Sequence, residues 1–100
     1  MTGAELIAAE RQRQINAEGW DASHDDAHTG KQIQAAAEAY MVYGCNARYQ
    51  SSPPMLWPWS EKHWKPIYHD EVRNLVKAGA LIAAEIDRLN RIKESVCAVE

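Results

Sequence analysis

All four prolines of this 100-residue chain, Pro53, Pro54, Pro58 and Pro66, fall in one block, together with three of its four tryptophans, Trp57, Trp59 and Trp64. Proline has no backbone donor and clashes with the preceding turn. The stretch from Cys45 to His69 therefore cannot be a long helix and makes a poor central strand. A loop of that length is uncommon in a compact domain unless it is functional or disordered, and three indoles argue against disorder. We read the block as an ordered loop that wraps the rest of the chain, with its indoles as packing anchors and one or two rings left to face a ligand. Regular structure must then come from the stretches on either side.

Both sides read as helix. Residues 4–18 are rich in alanine, glutamate, arginine and glutamine, all good helix formers. The apolar pattern is weak: Leu6, Ala9, Arg13 and Ala17 share a face, with Glu10 beside it. The face expected to turn inward thus carries Glu10 and Arg13, one turn apart. Either the two form a surface ion pair of little worth, or this helix lines a polar pocket. Gly19 stops the helix and lets Trp20 fold back onto its last turn.

A second helix is predicted over 30–44, capped by Thr29 with Gln32 closing a capping box. Ile33, Ala36, Ala37, Tyr40, Met41 and Gly44 give it a regular apolar face. The longest helix is predicted over 70–93, with Asp70 as its cap and Glu71 complementing the dipole. Val72, Leu75, Val76, Gly79, Ile82, Ala83, Ile86 and Leu89 form its apolar stripe. Gly79 costs helix propensity and is expected to pack against the alanines of the second helix. Glu85 borders the stripe and is the acid of this helix best placed to reach an interior site. The tail 94–100 is expected to fray. The fold class that follows is all-α, one domain over residues 1–100. Three main helices make it up, the second and third forming the apolar centre under the Trp/Pro loop.

A formal net charge of −3 argues against a general nucleic-acid coat or a membrane-surface protein, both of which need a basic face. No apolar run approaches the roughly 20 residues of a membrane span. The start, Met1-Thr2-Gly3-Ala4-Glu5, lacks the basic and apolar regions of a signal peptide. A cytosolic setting is expected, with Cys45 and Cys97 as free thiols.

Chemistry concentrates in Trp20–His28, which holds an indole, two imidazoles and three carboxylates in nine residues. His24, Asp26 and His28 have the donor types for a divalent metal ion, with Asp25, Glu10 or Glu85 able to complete the set. Their spacing matches no standard zinc motif. The alternative is a polar network in which the acids orient backbone and imidazoles. Arg11, Arg13, Lys65 and Arg73 could gather around an anionic group. Lys65 adjoins Trp64, so base stacking and phosphate pairing could coincide there. The hydroxyl of Tyr40 lies on a packing face and needs a partner, which the His/Asp stretch could supply. Nucleophilic catalysis has little support: no cysteine is patterned near a histidine, and Ser23 is merely adjacent to His24. The expected ligand-binding residues are Glu10, Arg13, Trp20, His24, Asp25, Asp26, His28, Trp64, Lys65 and Glu85, converging on one polar, Trp-lined pocket.

Read end to end, the chain resembles a family of small proteins and modules encoded by tailed phages and prophages. The likeness rests on Glu10-Arg11-Gln12-Arg13-Gln14-Ile15, Glu18-Gly19-Trp20, His24-Asp25-Asp26-Ala27-His28, Trp57-Pro58-Trp59, Trp64-Lys65-Pro66 and the run Asn74 to Leu89. It covers most of residues 9–91. Relatives often carry a glutamate after the glycine that follows the His-rich stretch, where this chain has Lys31. The resemblance implies a phage or prophage setting in a host cytosol and no catalytic assignment.

The leading expectation is a binding module for a nucleotide-like or other phosphate-bearing ligand, with arginine on the phosphate and an indole on the base. In a phage setting such a module would blunt host defence by sequestering a signalling nucleotide, a step of analogy. Two alternatives stand beside it. One is a divalent-metal-dependent nucleotide pyrophosphohydrolase using Glu10, Asp25, Asp26 and Glu85, with His24 or His28 as acid or base. The other is a protein–protein module that engages a host factor through the tryptophan loop. A homo-oligomer built on an alanine-rich helix face also stays open.

Overall fold

The structure, a computed structural model, describes residues 1–99, with side chains through residue 96. It is helical, with no strand among the described residues. Helix α1 spans Gly3–Arg13. The Thr2 hydroxyl accepts from the Glu5 amide at 3.2 Å, and the Glu5 carboxylate accepts from the Thr2 amide at 2.9 Å. That is a capping box. The helix then widens into a π turn, Gln14–Glu18. Gly19 closes it at φ 75°, left-handed backbone that glycine adopts at low cost, and the Trp20 amide donates back to the Gln14 carbonyl at 3.1 Å. Trp20 thus folds onto the last turn, as its place after Gly19 predicts.

A one-turn helix, α2, spans Ala22–Asp26, capped by Asp21, whose carboxylate accepts from the His24 amide at 3.0 Å. Helix α3 spans Gln32–Glu38 and continues as a second π turn, Ala39–Tyr43. The expected Thr29 capping box does not form. Lys31 holds the cap position in left-handed backbone, φ 68°, and the Gln32 side chain accepts from the Gly30 amide at 2.6 Å. Gln32 therefore secures the residue before the cap, and Thr29 stays outside the helix. Residues 45–69 contain two short 3-10 turns, Ala47–Tyr49 and Glu61–His63. Helix α4 spans Glu71–Val99, with the Asp70 carboxylate accepting from the Arg73 amide at 2.9 Å. It runs into the tail expected to fray as far as Val99, and Glu100 lies outside the described residues. None of the described helices is long and apolar enough to cross a membrane.

Both α1 and α3 run antiparallel to α4. Ile7 lies against Gly79 and Glu10 against Lys77, whereas Gln34 reaches Glu85 and Gly44 meets Asn74. The core joins Ile33, Ala36, Ala37, Ala39 and Tyr40 of the second helical segment to Ala78 and Leu81 of α4 and to Trp20, Trp57 and Trp64. Tyr40 packs between Trp57 and Trp64, at ring-centroid distances of 5.5 and 4.9 Å. Both of those indoles spend their N–H on the loop itself: Trp57 donates to the Ser60 carbonyl at 3.2 Å, Trp64 to the Tyr49 carbonyl at 2.7 Å. Bulk comes from the loop and closeness from the alanines.

That division corrects the reading of α4. Of its expected apolar stripe only Val76 is fully buried; Val72, Leu75, Ile82, Ile86 and Leu89 are exposed. The inward face carries Asn74, Lys77, Ala78, Leu81, Ala84, Glu85 and Arg88 instead. With the core volume already filled by indoles, small residues suffice on α4, and its polar side chains turn inward to meet those of α1 and α3. Gly79 faces α1 rather than the alanines of α3: a Cβ there would lie 2.6 Å from Ile7 Cδ1. Gly44 serves the packing of α3, since a Cβ would come within 2.7 Å of Asn74 Cγ. Asn74 in turn holds the end of the loop, donating to the Ile67 carbonyl at 2.8 Å and accepting from the Ile67 amide at 2.9 Å.

Candidate functional site

The buried positions of α1 and of the π turn after it are Glu10 and Gln14, with Ile7 half-buried against Gly79, whereas Ala9 and Ala17 are exposed. Glu10 is buried and meets three cations. Arg13 donates through Nε and Nη2 to its two oxygens, each at 2.8 Å. Arg73 of α4 donates to the same carboxylate, and the Lys77 ammonium lies 3.6 Å away. Burial pushes the Glu10 carboxyl up, but the Arg13 hydrogen bonds and the charges of Lys77, Arg13 and Arg73 outweigh it and hold the group below its ordinary range. Burial lowers the Lys77 ammonium, Glu10 opposes that, and Arg13 and Arg73 reinforce it. The side chain of Gln14 is buried beside Glu10, with its Oε1 unpartnered among the described residues.

The π turn carries Glu18 to the same side. Its carboxylate accepts from Lys65 Nζ at 3.0 Å and lies 3.8 Å from Arg13 and 3.9 Å from His63 Nδ1. Two largely buried carboxylates are thus ringed by Arg13, Lys65, Arg73 and Lys77. Four cations against two anions leave a surplus of two positive charges, before any charge on His63. Arg13, Lys65 and Arg73 keep roughly a third to a half of their side chains in solvent. Tyr40 closes the floor, its hydroxyl donating to the His63 carbonyl at 3.3 Å and accepting from the Lys65 amide at 3.1 Å. Its partner is the loop, not the expected His/Asp stretch. Burial drives the Tyr40 phenol up to about 12.

The His/Asp stretch forms a second, adjoining cluster. Asp25 is buried, accepting from Arg11 Nη2 at 2.6 Å and from His24 Nδ1 at 2.9 Å. Arg11 also donates to the Trp20 carbonyl at 2.6 Å, so it clamps the corner between α1 and α2 and does not join the cationic face. His28 donates from Nδ1 to the His24 carbonyl at 2.7 Å. The two imidazoles lie 4.3 Å apart, with Trp59 5.3 Å from each. Trp20 links this cluster to the first, 5.1 Å from Trp59 and 6.2 Å from His63.

The expected single pocket divides accordingly. Glu10, Arg13 and Lys65 share the cationic face. Trp20, His24, Asp25 and His28 form the aromatic cluster next to it. Asp26 is exposed and turned away to Arg91, at 2.7 Å. Glu85 does reach the interior, but at a third place: it accepts from Arg88 at 2.6 Å and from Gln34 at 2.9 Å. Burial raises the Glu85 carboxyl, and the Arg88 and Gln34 hydrogen bonds with the charges of Arg88 and Lys31 bring it below its ordinary range. Trp64 is a core residue rather than a stacking platform; the half-buried indole is Trp59, whose Nε1 has no partner among the described residues.

The proposed metal set His24, Asp26 and His28 does not assemble, because Asp26 is committed to Arg91. No group of three or more His, Cys, Asp or Glu side chains among the described residues could hold a metal ion. The acids of the hydrolase alternative, Glu10, Asp25, Asp26 and Glu85, sit in separate ion pairs and make no shared cation site. Cys45 is exposed and free; the side chain of Cys97 lies outside the described residues.

Sequence reasoning missed Gln14, Glu18, His63 and Lys77. A signal for Lys77 existed: Asn74, Lys77, Leu81, Glu85 and Arg88 recur at helical spacing just as the apolar stripe does. Gln14 follows Ile7 and Glu10 at the same period. Glu18 and His63 had no such signal, since a π turn and a loop place them. Compared with known protein families, curated proteins and solved structures, the chain matches none of them.

Proposed function

We propose that the protein is a binding module for a phosphate-bearing, nucleotide-like ligand, held on the face made by Arg13, Arg73, Lys65 and His63. One observation carries this reading: two buried carboxylates fix four cations in place and leave them in excess. Glu10 and Glu18 hold the cationic heads before any ligand arrives, which lowers the ordering cost of binding. Arg13 Nη1 makes no hydrogen bond among the described residues, so a guanidinium edge remains to meet phosphate oxygens. Next to the cations, the Trp59–His24–His28 cluster offers aromatic edges and faces to a base. Trp59 takes the stacking role that the sequence assigned to Trp64. In the phage or prophage setting that the motifs suggest, such a module would sequester a signalling nucleotide.

The test is isothermal titration with inorganic pyrophosphate, nucleoside mono-, di- and triphosphates and a cyclic dinucleotide, each with and without magnesium. Saturable binding that Arg73→Gln or Lys65→Gln weakens at least about tenfold, with helicity unchanged, supports the reading. Binding that these variants leave intact places the ligand elsewhere. No heat and no thermal shift with any phosphate compound refutes it.

A further inference from the structure

We infer that the outward face of α4 is where two copies of this chain pair, antiparallel, through a heptad seam. The exposed apolar positions are Val72, Leu75, Ile82, Ile86, Leu89 and Val96, which keep a three-and-four spacing on either side of Gly79, a position covered by Ile7 of α1, with Lys93 between the last two. That is a coiled-coil period, which keeps one stripe against a partner helix over several turns. The stripe points away from the core. Val72, Leu75, Ile82, Ile86, Leu89 and Val96 are 44% to 63% exposed, while the opposite side of the same helix buries lysine, glutamate and arginine. A helix that spends its polar residues inward and its leucine and isoleucine outward meets solvent with the wrong side unless something covers it.

Three features of the molecule identify the cover as a second copy. First, Ile82, Ile86, Leu89, Lys93 and Val96 alternate four and three residues apart, which asks for a helix with the same alternation, and α4 has it. Second, the ends carry opposite charges. Glu71 flanks the seam at its start and Lys93 sits in it near its end, both exposed. An antiparallel pair brings each Glu71 toward the partner's Lys93, whereas a parallel pair would place Lys93 on Lys93. Third, the surface is large enough. The six exposed apolar residues and neighbouring Ile92, each about half exposed, present on the order of 600 Å² of side chain, and the adjoining groove extends this toward the roughly 800 Å² per partner of a standard interface. The groove, about 640 Å³, runs between α3 and α4; Met41, Ile82, Ile86 and Leu89 line it together with the charged Lys31, Glu38 and Glu85. A helix from the second copy lying over Ile86 would fill it and make a four-helix arrangement of α3, α4 and their mates. The cationic face of Arg13, Arg73 and Lys65 is not part of this seam, so the two proposals stand or fall separately.

The experiment is sedimentation velocity on the full chain under reducing conditions, from about 1 to 200 µM, for the wild type, Ile86→Glu and Ile82→Glu. The expected result is a wild-type dimer in the micromolar range, with each variant dissociating at least ~100-fold more readily and keeping its helical circular dichroism. Both positions are half exposed, so a charge there leaves the monomer folded. Zero-length cross-linking should join Glu71 of one isotopically labelled copy to Lys93 of an unlabelled one. Glu71→Lys or Lys93→Glu alone should weaken the dimer, and the two together should restore it. A wild type that stays monomeric at 200 µM, variants that dimerise as well as it does, or cross-links joining Lys93 only to its own chain would each overturn the proposal.

Discussion

The same local device occurs twice in this protein with opposite results. Glu10 and Arg13 on α1, and Glu85 and Arg88 on α4, are both glutamate–arginine pairs three residues apart, with the glutamate buried. Around Glu85 the account closes: one guanidinium, one amide from Gln34, and little charge left over. Around Glu10 it does not. Arg73 and Lys77 arrive from α4, and Glu18 brings Lys65 and His63. The first pair joins two helices and stops there. The second gathers positive charge from three segments of the chain and leaves part of it facing solvent. An ion pair acquires a functional aspect when the cations around it outnumber what the acid can neutralise.

That contrast can be broken from several sides. The largest effect should come from Glu10→Ala, which strands a buried ammonium and two guanidinium groups together; a loss of about 3 to 5 kcal/mol in urea denaturation is expected. Glu85→Ala should cost less, about 2 to 3 kcal/mol, because it strands one guanidinium. If the two losses were equal, the Glu10 site would hold no excess.

Acid should separate the sites next. Both carboxylates are held below their ordinary range in the folded protein, so the unfolded chain binds more protons as pH falls through that range. The stability they contribute is full at neutral pH and is lost on acidification below about 4.5. Glu10→Gln should flatten this dependence more than Glu85→Gln, read from urea midpoints from pH 7 down to about 2.5. At the alkaline end the sign reverses. With the Tyr40 phenol raised to about 12, stability should fall as pH rises from about 10 to 12, and Tyr40→Phe should remove that fall while costing about 1 kcal/mol at neutral pH. The smallest effect belongs to the exposed Asp26–Arg91 pair: Asp26→Asn should change stability by less than about 1 kcal/mol and leave any phosphate binding as it was.

The helices were legible from the sequence because their signals are local. Gly19, Asp70 and the alanine-rich periods around Ile33 and Val76 mark segments whose backbone behaves as they predict. The sidedness of α4 was not legible. Two stripes run along it at one period, an apolar one through Ile82 and a polar one through Lys77. Choosing between them requires knowing that indoles from a distant loop already fill the core. The site failed to assemble as expected for a related reason. Sequence proximity grouped His24, Asp25 and Asp26, but a single helical turn points successive side chains in different directions, so Asp25 turns inward to Arg11 and Asp26 outward to Arg91. Glu10 and Arg13 were found because one turn of helix brings them together. Lys77 was missed because the polar stripe that carries it was passed over for the apolar one, and Glu18 because a π turn places it.

The π turn at Gln14–Glu18 has a consequence for how this chain tolerates change in length. A π turn holds one residue more than an α turn over the same arc, so this corner carries a residue of slack. Removing one residue from the turn would let an ordinary α turn close over that arc, and Gly19 and Trp20 would leave the helix in nearly the same direction. The indole would keep its seat beside Trp59, and Glu18 its place near Lys65. Substitutions at Asn16 or Ala17, both on the outside, should be borne easily, and a deletion of either better than an insertion, which the already widened turn has no room to absorb. Length can be lost at this corner more readily than gained.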